Sequence, residues 1–258
     1  MYKGKQFRIK PLEEVLAEIA SIPALYRQSV NRVFLADGDA LVYPFAGLVS
    51  ILDALADGFP RLARVGSYAS PASLVTKSPE QLALLRQKRL RILYFGLESG
   101  DDATAASINK GFSPEEMAVQ ALKARDAGMK LSVTAILGLV GRERSQLHAE
   151  RTAEWVNRVN PEYFSLLTLF HRHNEAFVRS LEQCTRRELM LEARTMIARM
   201  DQAVTILRSN HVSNFLNLEG TLPKDRLRLL TDIDAAIERA ARHGGFLDSV
   251  PEYAEEYY

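Results

Sequence analysis

One cysteine, Cys184, is all that the chain contains. That scarcity excludes an internal disulfide and any iron–sulfur or zinc centre built from several thiolates of this chain. Long apolar runs are missing as well. No stretch approaches the roughly 18 residues of a membrane-spanning helix, and the charged opening lacks the apolar core of a signal peptide. A cytoplasmic protein without a membrane partner is expected. Charge of one sign is also absent: 33 Lys and Arg stand against 32 Asp and Glu, a formal charge of +1. Such a balance offers no broad electrostatic footprint for nucleic acid, and the short basic start (Lys3, Lys5, Arg8, Lys10) does not change it. No internal repeat or low-complexity tract is visible.

What is present is an alternation of elements. Helix starts are marked where a hydroxyl is followed three residues later by an acid or amide, since the two side chains satisfy each other's free amides. Ser78-Pro79-Glu80-Gln81, Ser113-Pro114-Glu115-Glu116 and Thr185-Arg186-Arg187-Glu188 fit that pattern. Apolar spacing predicts helices along Phe45, Leu48, Val49, Leu52 and Leu55, and along Leu147, Trp155, Val156 and Val159. Gly58 and Gly128 are placed to close helices by turning left-handed. Further helices are expected at 11–21, near 186–207 and near 223–242. Six strands are expected near 32–36, 63–68, 91–97, 131–138, 163–169 and 212–218. This order predicts an α/β fold, an incomplete TIM-like (βα)6 partial barrel with parallel strands and outer helices. Because a helix comes first, the first strand of such a barrel is expected to be missing. The unpaired edge it leaves is a route to self-association. One domain is expected over residues 1–242, followed by a loosely attached acidic and aromatic tail, 243–258.

Three apolar runs break off into small and acidic residues ahead of helix-like segments: Val33 to Ala36 into Asp37-Gly38-Asp39, Ile92 to Phe95 into Gly96-Leu97-Glu98-Ser99-Gly100, and Val133 to Leu137 into Gly138-Leu139. In a parallel sheet the strand carboxyl ends gather on one rim, where binding groups converge. Each motif also has a plain structural reading. Asp37 and Asp39 suit a turn or a helix cap, Glu98 suits an ion pair with a neighbouring Arg, and Lys110 suits a solvated loop. Cys184 reads as an incidental free thiol. Leu189, Ala193, Met196, Ile197 and Met200 read as packing residues, as does Trp155. His171-Arg172-His173, following the strand Phe164 to Phe170, would allow a metal-dependent hydrolase or lyase if joined by Asp37, Asp39 or Glu98. A His-x-His pair in a polar loop is more often unliganded.

Taken in order and spacing, four segments resemble the core of the radical S-adenosylmethionine (SAM) enzymes, of the coproporphyrinogen-dehydrogenase-like or methylthiotransferase-like kind. They are Phe34 to Asp39, Tyr94 to Gly100, Ile108-Asn109-Lys110-Gly111, and Ile136 to Glu143. The resemblance implies a partial barrel that holds SAM across the strand carboxyl ends. It places Asp37, Gly38 and Asp39 at the methionine amine, where relatives carry Gly-Gly-Glu. It places Glu98 at the ribose, Lys110 at the methionine carboxylate, and Gly138 to Gly141 beside adenine. A carboxylate for an ammonium, a bidentate acceptor for a diol and glycine for close backbone approach are sound chemistry for each role.

The same resemblance implies a 4Fe–4S cluster on a Cys-x3-Cys-x2-Cys loop, and those cysteines are absent. Met1 to Arg8 resembles the segment immediately after that loop, so the chain is expected to start just past the third cysteine. A misassigned start and a natural loss of the loop both remain open. Intact chemistry would cleave SAM reductively for hydrogen abstraction from an unknown substrate, and this chain as written is expected to be inactive in it. A non-catalytic SAM-binding remnant is the alternative. Ser209-Asn210-His211-Val212-Ser213-Asn214 resembles a segment near the last strand of relatives, without an assigned role for His211 or Asn214.

Overall fold

Seven strands form one open sheet whose spatial order is the chain order: β1 (Arg32–Leu35), β2 (Arg64–Ala69), β3 (Leu90–Glu98), β4 (Lys130–Leu137), β5 (Tyr163–Thr168), β6 (Ile206–Ser209) and β7 (Leu218–Thr221). The computed structural model describes residues 8–170, 174–242 and 245–251. The opening residues 1–7, His171, His173, residues 243–244 and the tail from 252 therefore lie outside the described residues. Pairs β1/β2, β2/β3 and β5/β6 are parallel, with Val33 beside Val65, Tyr68 beside Tyr94 and Phe164 beside Leu207. By contrast β7 turns back, antiparallel to β6. Helices α1 (Leu12–Ser21) and α2 (Ala24–Arg27) precede β1, and α3 (Phe45–Gly58) follows it. Next come α4 (Pro71–Val75) and α5 (Pro79–Gln87), α6 (Asp102–Ser107) and α7 (Pro114–Asp126), and α8 (Gly141–Val159). The later helices are α9 (Glu175–Arg179), α10 (Arg186–Arg199) and α11 (Arg226–Ala241).

The chain divides into two compact units. The first is Met1–Phe95 with Val119–Ser132. Its core is aliphatic, with Leu41, Leu52, Val65, Leu74, Leu82 and Leu85 at 2% exposure or less. Burying each such side chain is worth about 1.5–3 kcal/mol. On one sheet face Phe34 meets Tyr68 and Tyr94 edge-on, at ring-centroid distances of 4.9 and 5.2 Å. Phe34 and Ile92 flank Gly66, where a methyl group would come within 3.1 Å of each.

The second unit is Gly96–Ala118 with Val133–Tyr258. Here α10 packs against α8 and α11, and Phe164, Met196, Ile197, Leu207 and Leu229 are fully enclosed. Trp155 lies on the buried face of α8 and donates its indole N–H to the Pro114 carbonyl at 2.9 Å. The predicted stripe Leu189, Ala193, Met196, Ile197 and Met200 is buried throughout.

Local signals are strong guides to this architecture. Ser78, Ser113 and Thr185 all form reciprocal caps with the acid or amide three residues on. Gly128 closes α7 at φ 83°. Five strands stand where alternation places them. The sixth does not: 212–218 is mostly loop, and β6 instead occupies 206–209. The expected long helix consequently stops at Arg199, and β7 supplies the antiparallel edge. The cause is the polar run 209–214, whose side chains hydrogen-bond one another and the end of β5 rather than a ladder. Gly58 ends α3 without a positive φ, and Leu147, expected to be packed, is 39% exposed.

Candidate functional site

In the first unit, Asp37 at φ 63° and Gly38 at φ 95° reverse the chain at the carboxyl end of β1. Two left-handed residues in succession suit Asp and Gly, which tolerate that conformation best. Asp39 is engaged locally. Its Oδ1 accepts from Leu41 N at 3.0 Å and its Oδ2 from Ser70 N at 2.8 Å. One carboxylate thereby fastens the loop after β1 to Ser70, which itself caps α4. Asp37 remains exposed; the hydrogen bond to Glu18 chiefly holds the Lys10 ammonium above its ordinary value, and the Asp37 charge adds a smaller push in the same direction. Lys77 is buried and donates to Thr76 Oγ1 at 2.9 Å; burial lowers its pKa, and Asp39 opposes that shift.

In the second unit, β3 ends on Glu98 at φ 63°, a left-handed conformation unusual for a glutamate. The side chain folds back over Gly96, where a Cβ would overlap Glu98 Oε1. Lys110 sits between Asn109 at φ 53° and Gly111 at φ 79°, so the chain bends twice to present it. Its Nζ donates to Glu98 Oε1 at 3.2 Å, with the two side chains 20% and 27% exposed. The structure thus pairs two candidates that the family resemblance placed on separate parts of the ligand. The bond falls on Glu98 Oε1, which leaves acceptor capacity on the carboxylate.

The chain after Glu98 is docked onto α8. Gly100 abuts the Arg151 carbonyl so closely that no side chain fits, and its N–H donates to Thr152 Oγ1 at 3.0 Å. Ser99 Oγ lies 2.7 Å from His148 Nδ1 and accepts from Asp101 N at 3.0 Å. Asp101 caps α6 through Thr104 and pairs with Arg144 at 2.7 Å. His148 Nε2 faces the Ile136 carbonyl at 3.1 Å, so it carries the proton and Nδ1 accepts from Ser99. Burial pushes His148 down to about 4, holding it neutral.

The turn after β4 is built on Gly138 at φ 74° and Gly141 at φ 66°. Both are required by packing too, since a Cβ would come within 2.7 Å of Leu189 Cδ2 at Gly138 and within 2.6 Å of the Glu182 carbonyl at Gly141. Gly138 N donates to Glu192 Oε1 at 3.0 Å, and Ser145 donates to Glu192 Oε2. Glu192 is 2% exposed, and burial pushes it up to about 7 against these two bonds. Cys184, beside Ser145, is buried and pushed up to about 12, so its thiol is an inert neighbour. A small open cleft lies along Leu137, Gly138, Thr168, Cys184 and Leu189.

His211 and Asn214 close the ends of β5 and β6. Asn214 Nδ2 reaches the Leu166 carbonyl and Ser209 Oγ, and His211 Nδ1 is 2.8 Å from Ser213 Oγ. Sequence reasoning passes over Asp101, Arg144, His148 and Glu192. Their signals are present: Arg144, His148 and Thr152 recur every fourth residue on α8, and Glu192 is an acid inside the apolar stripe of α10.

The sequence matches the radical SAM superfamily over residues 2–156, more than half of the chain. The chain belongs to the radical SAM superfamily. Solved structures agree on the fold. Coproporphyrinogen III oxidase from Escherichia coli, a radical SAM enzyme, superposes with a TM-score of 0.53 at 15% identity, covering 89% of this chain and 45% of that one. The archaeal Methanocaldococcus infernus Elp3 with an N-terminal deletion gives 0.56 at 12% identity, with coverages of 90% and 59%. Methylornithine synthase gives 0.53 at 14% identity, with coverages of 98% and 78%. This radical SAM chain therefore spans less than half the length of the E. coli enzyme. No curated protein sequence matches it.

Radical SAM enzymes as a family use SAM and a 4Fe–4S cluster, and the two fit this chain differently. For the cluster, the residues do not fit: the one cysteine is buried beside glutamates, and the described residues contain no group of three or more His, Cys, Asp or Glu able to hold a metal. For SAM, the residues present are of the right kind. Glu98 offers a half-buried carboxylate at a strand end, folded over a glycine that no larger residue could replace without displacing it.

Proposed function

We propose that this chain binds SAM at the carboxyl ends of its strands and that, with its own residues alone, it does not cleave it. Glu98 carries the reading. A glutamate held left-handed at a strand end, tied by Lys110 on one oxygen, is preorganised to accept the two hydroxyls of a ribose. Lys110 orients that carboxylate and supplies positive charge nearby; a direct role at the methionine carboxylate is secondary. In the first unit Asp37 is left exposed by the reversal that Gly38 completes, while Asp39 fixes the loop after β1. Gly138 and Gly141 shape the turn that would lie beside adenine.

In the family, SAM bound to a cluster supplies a radical for hydrogen abstraction. This chain holds one cysteine where three thiolates are needed, so no step of that chemistry is assigned to its residues. The metal-dependent hydrolase reading gains no support, because His171 and His173 fall outside the described residues and no alternative ligand group is present among those described.

Anaerobic incubation with iron, sulfide, a reductant and SAM tests the proposal. The expected result is colourless protein that retains SAM on ultrafiltration and releases no 5′-deoxyadenosine. A brown chromophore together with 5′-deoxyadenosine would overturn it.

A further inference from the structure

Two loops of the second unit carry Glu98 and Gly138, and a run of enclosed polar groups connects both to α8. From the loop after β3, Asp101 N–H donates to Ser99 Oγ, which in turn meets His148 Nδ1. From the turn after β4, Gly138 N–H donates to Glu192, which also takes the Ser145 hydroxyl. His148 and Glu192 are 3.5 Å apart, and their side chains are entirely buried. His148 and Ser145 lie three residues apart on α8, so one helix face receives both loops.

Such a cluster does not favour stability. Apolar residues of similar volume would serve packing as well or better, because burying an acid and an imidazole costs desolvation that hydrogen bonds only partly offset. The charged and titratable groups around it are Asp101 and Arg144 on the β3 side, and Cys184, Glu188 and Arg142 on the α10 side. Among the described residues, none of these completes an ion pair with Glu192. Its partners are instead the backbone of a candidate binding turn and a serine.

We propose that Glu192 and His148 are positioning residues, which lock the loop after β3 and the turn after β4 onto α8 so that Glu98 and the Gly138 backbone are presented in one fixed arrangement. The ligand for which they do so rests on the SAM reading above. The lock itself belongs to the free protein. Glu192 acts through the Gly138 amide, and His148 through Ser99 and Asp101.

Amide hydrogen exchange and SAM binding, both measured on the purified chain, test the lock. In Glu192→Leu, which leaves the Gly138 amide without its acceptor, exchange at Gly138 should accelerate about tenfold or more. The SAM dissociation constant should rise by about tenfold, as when a supporting hydrogen bond behind a binding group is lost. Glu192→Gln keeps an acceptor for Gly138 and should restore both to within about twofold. Ser99→Ala, a smaller perturbation, should accelerate exchange at Asp101 and weaken SAM in the same direction.

A role confined to stability would lower the melting temperature and leave the affinity of the folded variants unchanged, and that result would overturn the inference. Unchanged exchange at both Gly138 and Asp101, or a Gln variant as impaired as the Leu variant, would overturn it equally. Wild-type protein that takes up no SAM while exchange responds as described would overturn the SAM reading alone.

Discussion

On the proposed SAM reading, Gly96 is a position at which ligand binding and stability separate. Its backbone needs no left-handed angle, and the atom a Cβ would meet is the tip of the Glu98 side chain. Gly96→Ala should therefore cost about 1 kcal/mol or less in urea unfolding. The displaced carboxylate should nevertheless leave Lys110 and weaken SAM binding by about tenfold. Equal affinity in the two proteins would remove Glu98 from the site. Glu192 and His148 govern pH dependence at this scale, with opposite signs. Glu192 is raised from the ordinary 4.5 to about 7, so its contribution is complete below pH 4.5 and is lost as pH rises through 7. His148 is lowered from 6.5 to about 4, so its contribution is complete above 6.5 and is lost as pH falls through 4. Between these limits the two slopes oppose each other. Glu192→Gln removes only the first, and its melting temperature relative to wild type should climb as pH rises from about 5 to about 8. A constant difference across that range would contradict the assignment.

Helix α10 shows what the elements contribute and how far they can be foreseen. It begins at the Thr185 and Glu188 cap, Leu189 backs the Gly138 turn, and Glu192 reaches that turn's amide. Thr185→Ala should destabilise the protein by about 1 kcal/mol in denaturant titration, because one orphan amide of the first turn loses its acceptor. The cap and the apolar stripe of α10 are legible in the sequence, since both depend on near neighbours. Its end is not. Whether 200–207 continues as helix is decided by β5 offering Ile206 a parallel partner, a contact between residues far apart in the chain. The site divides in the same way. Left-handed turns at Asp37-Gly38 and at Gly138 can be read from residue type, and Glu98 from its place after the most apolar strand. That Asp39 is taken up by Ser70, or that Lys110 folds onto Glu98, depends on side-chain directions that no local pattern records.

At the scale of the whole molecule, helices alternate with an open, mostly parallel sheet. The radical SAM match runs over residues 2–156, and the solved relatives share the fold at identities of 15% or lower. No helix among the described residues is long and apolar enough to cross a membrane. Function then turns on what the strand ends hold, since one fold hosts many chemistries. On the proposed reading, Glu98 with its Lys110 partner and the Gly138 turn serve the nucleoside, and a single enclosed thiol is all the chain offers iron. Titration calorimetry of SAM into the iron-free chain and into Glu98→Gln tests that division most directly. The expected result is saturable one-site heat with the wild type and an affinity lower by about tenfold in the variant. No heat with the wild type, or the same affinity in both proteins, would contradict it.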